Sequence, residues 1–236
     1  MLNVGLIGCG NIAETYFRSQ EYFNNINFIS CTDINEEAAK KCADQYNIKI
    51  QSVDDLLSNP DIDVILNLTV PQAHHEVTKK ILLAGKHSYC EKPLSISFEQ
   101  GKELVEIAKE KNIYLGNAPD TFLGGGGQLS RQLLDAGEIG DVKLGNFIFA
   151  FPGTETFHHN PDSWYKKGGG PIIDMGPYFF TMLVHLLGPA KNVRSRGIKV
   201  KENRNIDEGP RKDEKVIVEV PTSYTFNVEF HSGSLI

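Results

Sequence analysis

LNVGLIGCGNIA, residues 2–13, is the stretch of sequence that decides the fold class. Its first six residues are mostly apolar and predict a β-strand, and the residues after Gly10 predict a helix. The turn between them has the pattern GxGxxA. Gly8 permits the tight turn, Gly10 lets a pyrophosphate approach the backbone, and Ala13 allows the helix to pack closely on the sheet. A strand, a glycine turn and a helix in this order predict a dinucleotide-binding unit.

Residues on both sides of the glycine turn support the same interpretation. The phosphates would meet the free amides and the positive dipole end of the helix at Asn11 and Ile12. The next strand ends at Asp33, whose carboxylate can accept hydrogen bonds from both hydroxyls of an adenosine ribose. A carboxylate at this place repels a 2′-phosphate, so NAD is favoured over NADP. Asp33 as an N-cap of the following helix is an alternative that does not exclude the first.

The composition excludes some classes of function. The chain has 236 residues, of which 40% are hydrophobic, so it can bury a substantial core in one or two domains. Its formal net charge of -6 argues against a surface that neutralises nucleic-acid phosphates. No signal peptide is recognisable, and polar residues interrupt the apolar run from Met175 to Gly188. We therefore expect a soluble, cytoplasmic protein without nucleic-acid or membrane partners.

Short apolar runs alternate with amphipathic segments up to about Asn117, which is the pattern of βαβ units around a parallel sheet. The predicted strands are Leu2–Ile7, Ile26–Cys31, Val64–Leu68, Ser88–Cys90 and Ile113–Leu115. The predicted helices are Ile12–Phe23, Glu36–Tyr46, Ala73–Leu83 and Phe98–Lys111. This order predicts an α/β domain of the Rossmann type, a doubly wound parallel sheet, over residues 1–120.

The pattern changes after Asn117 and predicts a second domain over residues 121–236. Its predicted elements are a helix over Gln128–Ala136, a strand over Val142–Phe151, a long apolar helix that opens at residues 168–171 and ends near Leu187, and strands Val193–Val200, Val216–Val220 and Tyr224–Phe230. Helices followed by strands are typical of an α+β domain with a largely antiparallel open sheet. The charged segment Lys201–Lys215 contains Gly209-Pro210 and is predicted to be an exposed, mobile loop.

Three further motifs follow the glycine turn in a characteristic order. Thr69-Val70-Pro71-Gln72-Ala73-His74 follows one strand, and Gly85-Lys86-His87 leads through the next strand to Glu91-Lys92-Pro93. Residues 168–176 read GGGPIIDMG. Together these segments resemble the T-x-P-x-x-H, GKH-x-x-x-EKP and GGG-x-x-x-D-x-G signatures of the Gfo/Idh/MocA (glucose-fructose oxidoreductase/inositol dehydrogenase) family. The resemblance spans nearly the whole chain, and the order and spacing of the motifs are more specific than any one of them.

The resemblance implies a fold, an assembly and a cofactor site. The fold is a Rossmann domain followed by an α/β domain whose open sheet often mediates oligomers, so a homo-oligomer is expected. By position in the motifs, the residues implied to contact the cofactor are Thr69, Pro71, His74, Glu91 and Lys92.

The resemblance also implies a catalytic group, carried by Lys92 and Asp174. The family has a histidine four residues after this aspartate, and here Tyr178 takes its place. A phenol can also exchange a proton with an alcohol or carbonyl oxygen. A buried ammonium beside a carbonyl can stabilise negative charge as hydride arrives, although a lysine before a proline is usually a solvated turn residue. We expect the three side chains to converge on the substrate oxygen.

Loops around these motifs supply candidates for substrate contacts. They are Asp120, Thr121, His158, His159, Trp164 and Tyr165. Asp120 is equally a candidate cap of the following helix. No acidic residue or cysteine at ligand spacing accompanies the adjacent histidines, so no metal site is predicted.

The four cysteines, Cys9, Cys31, Cys42 and Cys90, are widely spaced and include no CxxC pair. Their spacing suggests neither a zinc cage nor a dithiol redox motif. We interpret them as buried or half-buried reduced thiols.

The sequence leaves three functions open. The first is an NAD(P)-dependent oxidoreductase that transfers a hydride between nicotinamide and the CH-OH group of a sugar, cyclitol or related polyol. The second is a glycoside hydrolase that uses NAD transiently, and the third is a non-catalytic dinucleotide-binding sensor or partner protein. His231-Ser232-Gly233 is typical of a hairpin turn and residues 234–236 of a returning strand, so the domain is expected to continue beyond Ile236.

Overall fold

A computed structural model of the protein describes residues 1–158 and 160–236. The chain divides into two compact units, Met1–Ala118 and Pro119–Ile236. Each unit has its own β-structure and its own buried core. Within the two described ranges, no helix has the length and apolar character required to cross a membrane.

The first unit is built on a six-stranded parallel sheet with the order β3-β2-β1-β4-β5-β6. The strands are β1 (Leu2–Ile7), β2 (Ile26–Thr32), β3 (Lys49–Ile50), β4 (Val64–Asn67), β5 (His87–Cys90) and β6 (Leu115–Asn117). The helices are α1 (Ala13–Arg18), α2 (Glu36–Tyr46), α3 (Val53–Ser58), α4 (Pro71–Leu83) and α5 (Phe98–Glu110). The strand order reverses between β1 and β4, the switch point at which such sheets bind ligands beyond their carboxyl ends. The predicted doubly wound fold is confirmed.

β1 lies inside the sheet and separates two apolar layers. Val4 and Leu6 pack on one face together with Phe17 of α1, whereas Ile7 packs on the other face with Leu56 of α3. This division follows from the two-residue period of a strand, which sends successive side chains to opposite faces. The glycine turn therefore leaves the sheet from a strand that is packed on both sides.

Some boundaries in the first unit differ from the prediction. Both residues of β3 are exposed, so this short strand has no alternating pattern by which the sequence could reveal it. β6 begins at Leu115, two residues later than predicted, because the amide of Ile113 donates to the carbonyl of Ala108 and belongs to the end of α5. The first helix ends at Arg18 and continues only as a 3-10 turn over Ser19–Glu21.

In its described residues, 119–158 and 160–236, the second unit contains four α-helices and two small antiparallel sheets. The helices are α6 (Gly125–Asp135), α7 (Asp162–Tyr165), α8 (Pro171–Asp174) and α9 (Gly176–Leu187). The strands are β7 (Ala190–Ile198), β8 (Asn203–Asn205), β9 (Lys215–Ile217) and β10 (Ser223–Phe230). β10 pairs with β7, and β8 pairs with β9, all antiparallel. The predicted antiparallel character of this region is confirmed.

The strand predicted over Val142–Phe151 is wrong. Within the described residues this segment has one isolated bridge, between Leu144 and Leu235, and its apolar side chains are largely exposed, Ile148 at 87%. A run rich in phenylalanine and aliphatic side chains favours a strand, but a strand also requires a neighbour that shares its backbone hydrogen bonds. The run itself does not show whether such a neighbour exists.

The mobile loop predicted over Lys201–Lys215 is also wrong in part, because the segment contains β8, which pairs with β9. Ile206, just after β8, is fully buried against Tyr165, Val216 and Val218. Burial of this one aliphatic side chain among fifteen mainly polar residues fixes the segment to the unit.

The long helix predicted up to Leu187 is interrupted at Met175, which separates α8 from α9. Pro177 explains the break, because it has no amide hydrogen to continue the helical hydrogen bonds. The amide of Tyr178 then donates to the carbonyl of Met175, one residue closer than in an α-helix. The interruption places Asp174 at the end of one helix and Tyr178 in the first turn of the next.

The predicted turn at residues 231–233 is confirmed. Gly233 has a φ of +86°, and the amide of Phe230 donates to the carbonyl of Ser234. Val228 and Ile236 then exchange two backbone hydrogen bonds, so residues 234–236 return along β10.

Candidate functional site

The glycine turn after β1 has the geometry that its sequence predicts. Gly8 is buried and has a φ of +104°, a conformation that residues with side chains rarely adopt. A Cβ atom at Gly8 would lie 2.6 Å from the backbone oxygen of Leu68, whereas one at Gly10 would meet no atom within 4 Å. Asn11 and Ile12, which follow in the turn, are exposed. The fold therefore requires Gly8, and Gly10 leaves the outer side of the turn open.

We expect Gly8→Ala to lower the free energy of unfolding by about 1–3 kcal/mol, because both the positive φ and the close backbone oxygen oppose a side chain. Gly10→Ala is the matched control. It should leave stability nearly unchanged and weaken dinucleotide binding, because its methyl group occupies the open side of the turn. Urea unfolding and a cofactor titration measure the two effects. Equal losses of stability in the two variants would contradict these separate roles.

Asp33 follows β2 and holds the glycine turn. Its Oδ2 accepts a hydrogen bond from the backbone amide of Cys9 at 2.6 Å, and its Oδ1 accepts one from the amide of Asn35 at 2.7 Å. The N-cap of α2 is Asn35, whose side chain accepts hydrogen bonds from the amides of Glu37 and Ala38. Asp33 as the helix N-cap is therefore wrong. Its carboxylate lies instead beside the glycine turn.

A buried polar network connects the loops that follow β4 and β5. Asn67 is fully buried, and its Oδ1 accepts hydrogen bonds from the amide and the hydroxyl of Thr69, at 3.2 and 2.7 Å. Its Nδ2 donates to the carbonyl of His74 and the hydroxyl of Thr78. The ring of His74, 1% exposed, lies between two carbonyls, with Nδ1 2.6 Å from that of Pro93 and Nε2 2.9 Å from that of Thr69. Asn67 and His74 therefore position both loops.

The carboxylate of Glu91 fixes the residue that follows it. Its Oε2 accepts a hydrogen bond from the backbone amide of Lys92 at 2.9 Å, and its Oε1 accepts one from the hydroxyl of Tyr16 at 2.7 Å. The backbone carbonyl of Glu91 accepts from Nδ2 of Asn117, at the end of β6. The half-buried Lys92 thus leaves the sheet from a firmly held backbone. Sequence reasoning missed Tyr16, Asn67 and Asn117, because no motif marks a residue that acts through another.

The structure collects the candidate cofactor residues of the first unit along one edge of the sheet. The glycine turn follows β1, Asp33 follows β2, Thr69 and Pro71 follow β4, and Glu91 follows β5. In a parallel sheet the carboxyl ends of the strands lie on the same side, so these residues share the edge at which the fold binds ligands.

In the second unit, Trp164 and Asp174 are joined directly. The indole Nε1 of Trp164 donates to Oδ2 of Asp174 at 3.1 Å. Asp174 and Tyr178 are both half-buried. The structure therefore connects a candidate substrate residue with the candidate catalytic carboxylate.

A cavity of about 380 Å³ lies beside Trp164. Aromatic side chains, among them Phe151 and Phe179, form much of its wall, and Arg204 adds a cationic group. A concave, mainly apolar wall with few polar groups is the usual composition of a small-molecule site.

Tyr165 lies in the core, where it is fully buried. Its hydroxyl donates to the carboxylate of Glu155, which also accepts a hydrogen bond from Nη1 of Arg204 at 2.6 Å. Burial, together with the bond to this carboxylate, raises the pKa of Tyr165 to about 12. Tyr165 therefore packs and anchors the short helix α7, which also carries Trp164.

The remaining candidates for substrate contacts lie at the surface. Asp120, Thr121 and His158 are exposed, and Nδ1 of His158 accepts a hydrogen bond from the amide of Asn160. The side chain of Asp120 does not cap the short 3-10 turn that follows it, so the capping alternative is not supported. His159 lies outside the described residues.

The cysteines are free thiols, with Cys9 half-buried and Cys31, Cys42 and Cys90 buried, as predicted. The fold brings the first three together, which their spacing in the sequence did not indicate. The hydrogen bond with Cys31, together with burial, raises the pKa of Cys9, and the same bond lowers the pKa of Cys31. Burial raises the pKa of Cys42 to about 11 and that of Cys90 to about 12.

Known protein families match both units of the chain. A family described as "Oxidoreductase family, NAD-binding Rossmann fold" matches residues 2–118, and the "GFO/IDH/MocA C-terminal domain" matches residues 128–236. The first unit is therefore an NAD-binding Rossmann domain. The two matches follow each other in the order that the sequence motifs predict.

Individual relatives agree with these matches. The chain is 34% identical to the trans-1,2-dihydrobenzene-1,2-diol dehydrogenase of Xenopus laevis, over 68% of this chain and 49% of that protein. It is 23% identical to the inositol 2-dehydrogenase of Rhizobium meliloti (strain 1021), over 78% of this chain and 54% of that protein. The chain spans about half the length of the curated relatives that it matches.

Solved structures share the fold. The WlbA dehydrogenase from Chromobactrium violaceum, in complex with NADH and UDP-GlcNAcA, superposes with a TM-score of 0.82 at 22% identity, over 99% of this chain and 65% of that one. The paired family matches, supported by this shared fold, show that the chain belongs to the GFO/IDH/MocA family of oxidoreductases.

Proposed function

We propose that the protein of which this chain forms part is an NAD-dependent oxidoreductase that acts on the CH-OH group of a sugar, cyclitol or related polyol. The observation that carries the proposal is the hydrogen bond from the Cys9 amide to the Asp33 carboxylate. It fixes a carboxylate beside Cys9, the residue before the open Gly10, at the edge of the sheet where doubly wound folds bind dinucleotides. This is the acidic group and the clear backbone approach that an adenosine ribose and a pyrophosphate require.

These residues fit NAD. The pyrophosphate would lie against the glycine turn at Gly8, Gly10 and Asn11, and the ribose hydroxyls would donate to Asp33. Bound nicotinamide would supply a hydride acceptor for oxidation of an alcohol, or a donor for the reverse reaction.

Lys92, Asp174 and Tyr178 are proposed to act on the substrate. Lys92 supplies positive charge that stabilises an alkoxide or a polarised carbonyl. Asp174 accepts hydrogen bonds from substrate hydroxyls, and the indole of Trp164 holds its carboxylate in orientation. Tyr178 exchanges the proton of the reacting oxygen. The assignment of these three residues to one reaction rests on their positions in the family motifs.

The polyol class is supported by the relatives and by the second unit. Named relatives include an inositol 2-dehydrogenase and a D-xylose dehydrogenase. Carboxylate and indole groups beside an aromatic cavity are groups that bind the hydroxyls and the apolar faces of such molecules.

The deciding experiment is NADH formation, followed by absorbance, with a panel that contains myo-inositol, D-xylose, other free polyols and sugars, and glycosides. Stoichiometric NADH formation with a member of the panel supports the proposal. Cleavage of a glycoside without net NADH would identify a hydrolase that uses NAD transiently. Tight NAD binding without turnover of any member would point to a sensor.

NAD should bind more tightly than NADP, and Asp33→Ala should erode this preference. The variant removes acceptors for both ribose hydroxyls, so NAD affinity should fall by about 10-fold or more, the range for hydrogen bonds to a charged group. Loss of the repulsion toward a 2′-phosphate offsets this fall for NADP, so NADP affinity should fall less than NAD affinity. Fluorescence titrations measure both, with Asp44→Ala on the exposed face of α2 as the control. Tighter binding of NADP than of NAD to the unmodified protein would show that Asp33 does not select against the 2′-phosphate.

Tyr178→Phe should lower turnover by roughly 10- to 100-fold, because it removes only the hydroxyl that transfers the proton, and water can take over part of this role. NAD affinity and stability should change little. The control is Tyr114→Phe, which alters an exposed phenol of the first unit. If Tyr178→Phe keeps full turnover on the substrate found in the panel, the tyrosine is structural and another acid or base performs the transfer.

A further inference from the structure

Three thiols meet beneath the glycine turn. The Sγ atoms of Cys9, Cys31 and Cys42 all lie within 4.8 Å of one another. They come from three different elements, namely the turn after β1, the strand β2 and the helix α2.

The packing of the sheet holds this cluster in place. Cys31 lies opposite Leu6 in the parallel pairing of β1 with β2, so the end of β1 carries Cys9 toward the end of β2. The Sγ of Cys31 donates to the carbonyl of Ala39 at 3.7 Å, and α2 therefore covers the strand and brings Cys42 to the same place. Cys31 and Cys42 belong to the buried core of this layer. Regular structure thus positions Cys31 and Cys42, and the hydrogen bond from its amide to Asp33 holds Cys9 in the turn.

We propose that Cys9, Cys31 and Cys42 form a binding site for one thiophilic divalent cation of the zinc and cadmium class. Such an ion binds thiolate sulfurs at about 2.3 Å, which separates sulfurs in a tetrahedral site by roughly 3.8 Å. The observed cluster reaches this arrangement with shifts of about 1 Å or less at each sulfur. Three sulfurs from three directions suit one ion, and soft sulfur ligands exclude magnesium and calcium, which require oxygen.

Metal binding to the three thiols exchanges protons for the ion and requires no oxidant. One M²⁺ ion displaces three thiol protons and forms three metal-sulfur bonds, which gives a site of net charge −1 and releases three protons to the buffer. The fourth tetrahedral position remains for a solvent ligand. Cys9 is half-buried and the adjacent Gly10 is exposed, so the ion enters from the side of the turn.

Cadmium titration of the full chain, reduced with a phosphine, tests the site. We expect one Cd²⁺ per chain, an ultraviolet band from thiolate-to-cadmium charge transfer, a release of three protons, and displacement of previously bound Zn²⁺ by Cd²⁺, the softer ion. Cys42→Ala should weaken Cd²⁺ binding by at least about 100-fold, more than the loss of an outer-shell contact. The alanine should be tolerated, because Ala39 and Ala43 are buried on the same face of α2.

Cys90→Ala is the matched control, because Cys90 is also a buried free cysteine but lies in β5 outside the cluster. It should bind Cd²⁺ as the parent chain does. If Cys42→Ala does not fold, Cys9→Ser, at a half-buried position, is used in its place. The same fall in Cd²⁺ affinity is expected. The proposal is wrong if the parent chain shows no thiolate band, or if Cys90→Ala loses as much affinity as the cluster variants. In those cases the three thiols act only as small apolar side chains.

Discussion

Lys92→Ala is expected to lower turnover by roughly 100-fold or more while NAD binding stays nearly intact, the range for loss of a positioned electrostatic or proton-transfer group. The backbone of Lys92 is held by Glu91, whose carboxylate accepts a bond from the Lys92 amide and another from Tyr16. These contacts do not involve the Lys92 side chain. The variant should therefore remove the ammonium and leave the loop after β5 in position.

Steady-state kinetics with the substrate found in the panel and an NADH fluorescence titration measure the two effects separately. Lys102→Ala is the control, because Lys102 is a solvated lysine on α5 whose side chain is 62% exposed. Lys92→Arg keeps the charge but changes the shape of the head group, so it should recover only part of the turnover. A fall in NAD affinity as large as the fall in turnover would show that Lys92 binds cofactor and has no separate role in the reaction.

The sequence predicted the parts of the fold that short segments determine. The apolar run of β1, the glycine turn and the acidic end of β2 are local features, and each stands where the pattern placed it. The wrong predictions concern segments whose structure depends on a neighbouring strand. The apolar run around Ile148 predicted a strand, but nothing in it encodes the presence of the adjacent strand that its backbone would require.

The candidate site likewise contains residues that motifs reveal and residues that only the fold brings into place. Lys92 and Asp174 lie in motifs and were identified, as were Glu91 and Trp164 beside them, whereas Tyr16 and Asn117, which bond to Glu91, were not. Asn67 joins the loop before α4 to α4 itself by four side-chain hydrogen bonds, and no spacing rule identifies such a residue. The thiols of Cys9, Cys31 and Cys42 are also brought together only by packing of the sheet and helix. Long-range packing determines which of many similar residues meet, and one sequence does not reveal it.

The largest effect on stability is expected at Glu155, whose side chain is 7% exposed. It accepts hydrogen bonds from the hydroxyl of Tyr165 and from Arg204, whose side chain is 17% exposed. Glu155→Gln leaves the guanidinium buried without its anion. Loss of one partner of a buried ion pair costs about 3–5 kcal/mol of unfolding free energy, because the other charge remains uncompensated.

Urea unfolding followed by tryptophan fluorescence tests this directly, since Trp164 is the single tryptophan of the chain and its ring centroid lies 4.8 Å from that of Tyr165. Asp162→Asn is the control, because it removes the charge from a more exposed pair with Arg211 and should cost less than about 1 kcal/mol. Replacing Arg204 by Met in the Glu155→Gln background should recover part of the loss, since no buried charge then remains unpaired. Equal small losses for Glu155→Gln and Asp162→Asn would mean that water reaches the pair. Glu155 would then not hold helix α7 through Tyr165. The orientation of Trp164 toward Asp174 would depend on the aromatic packing alone.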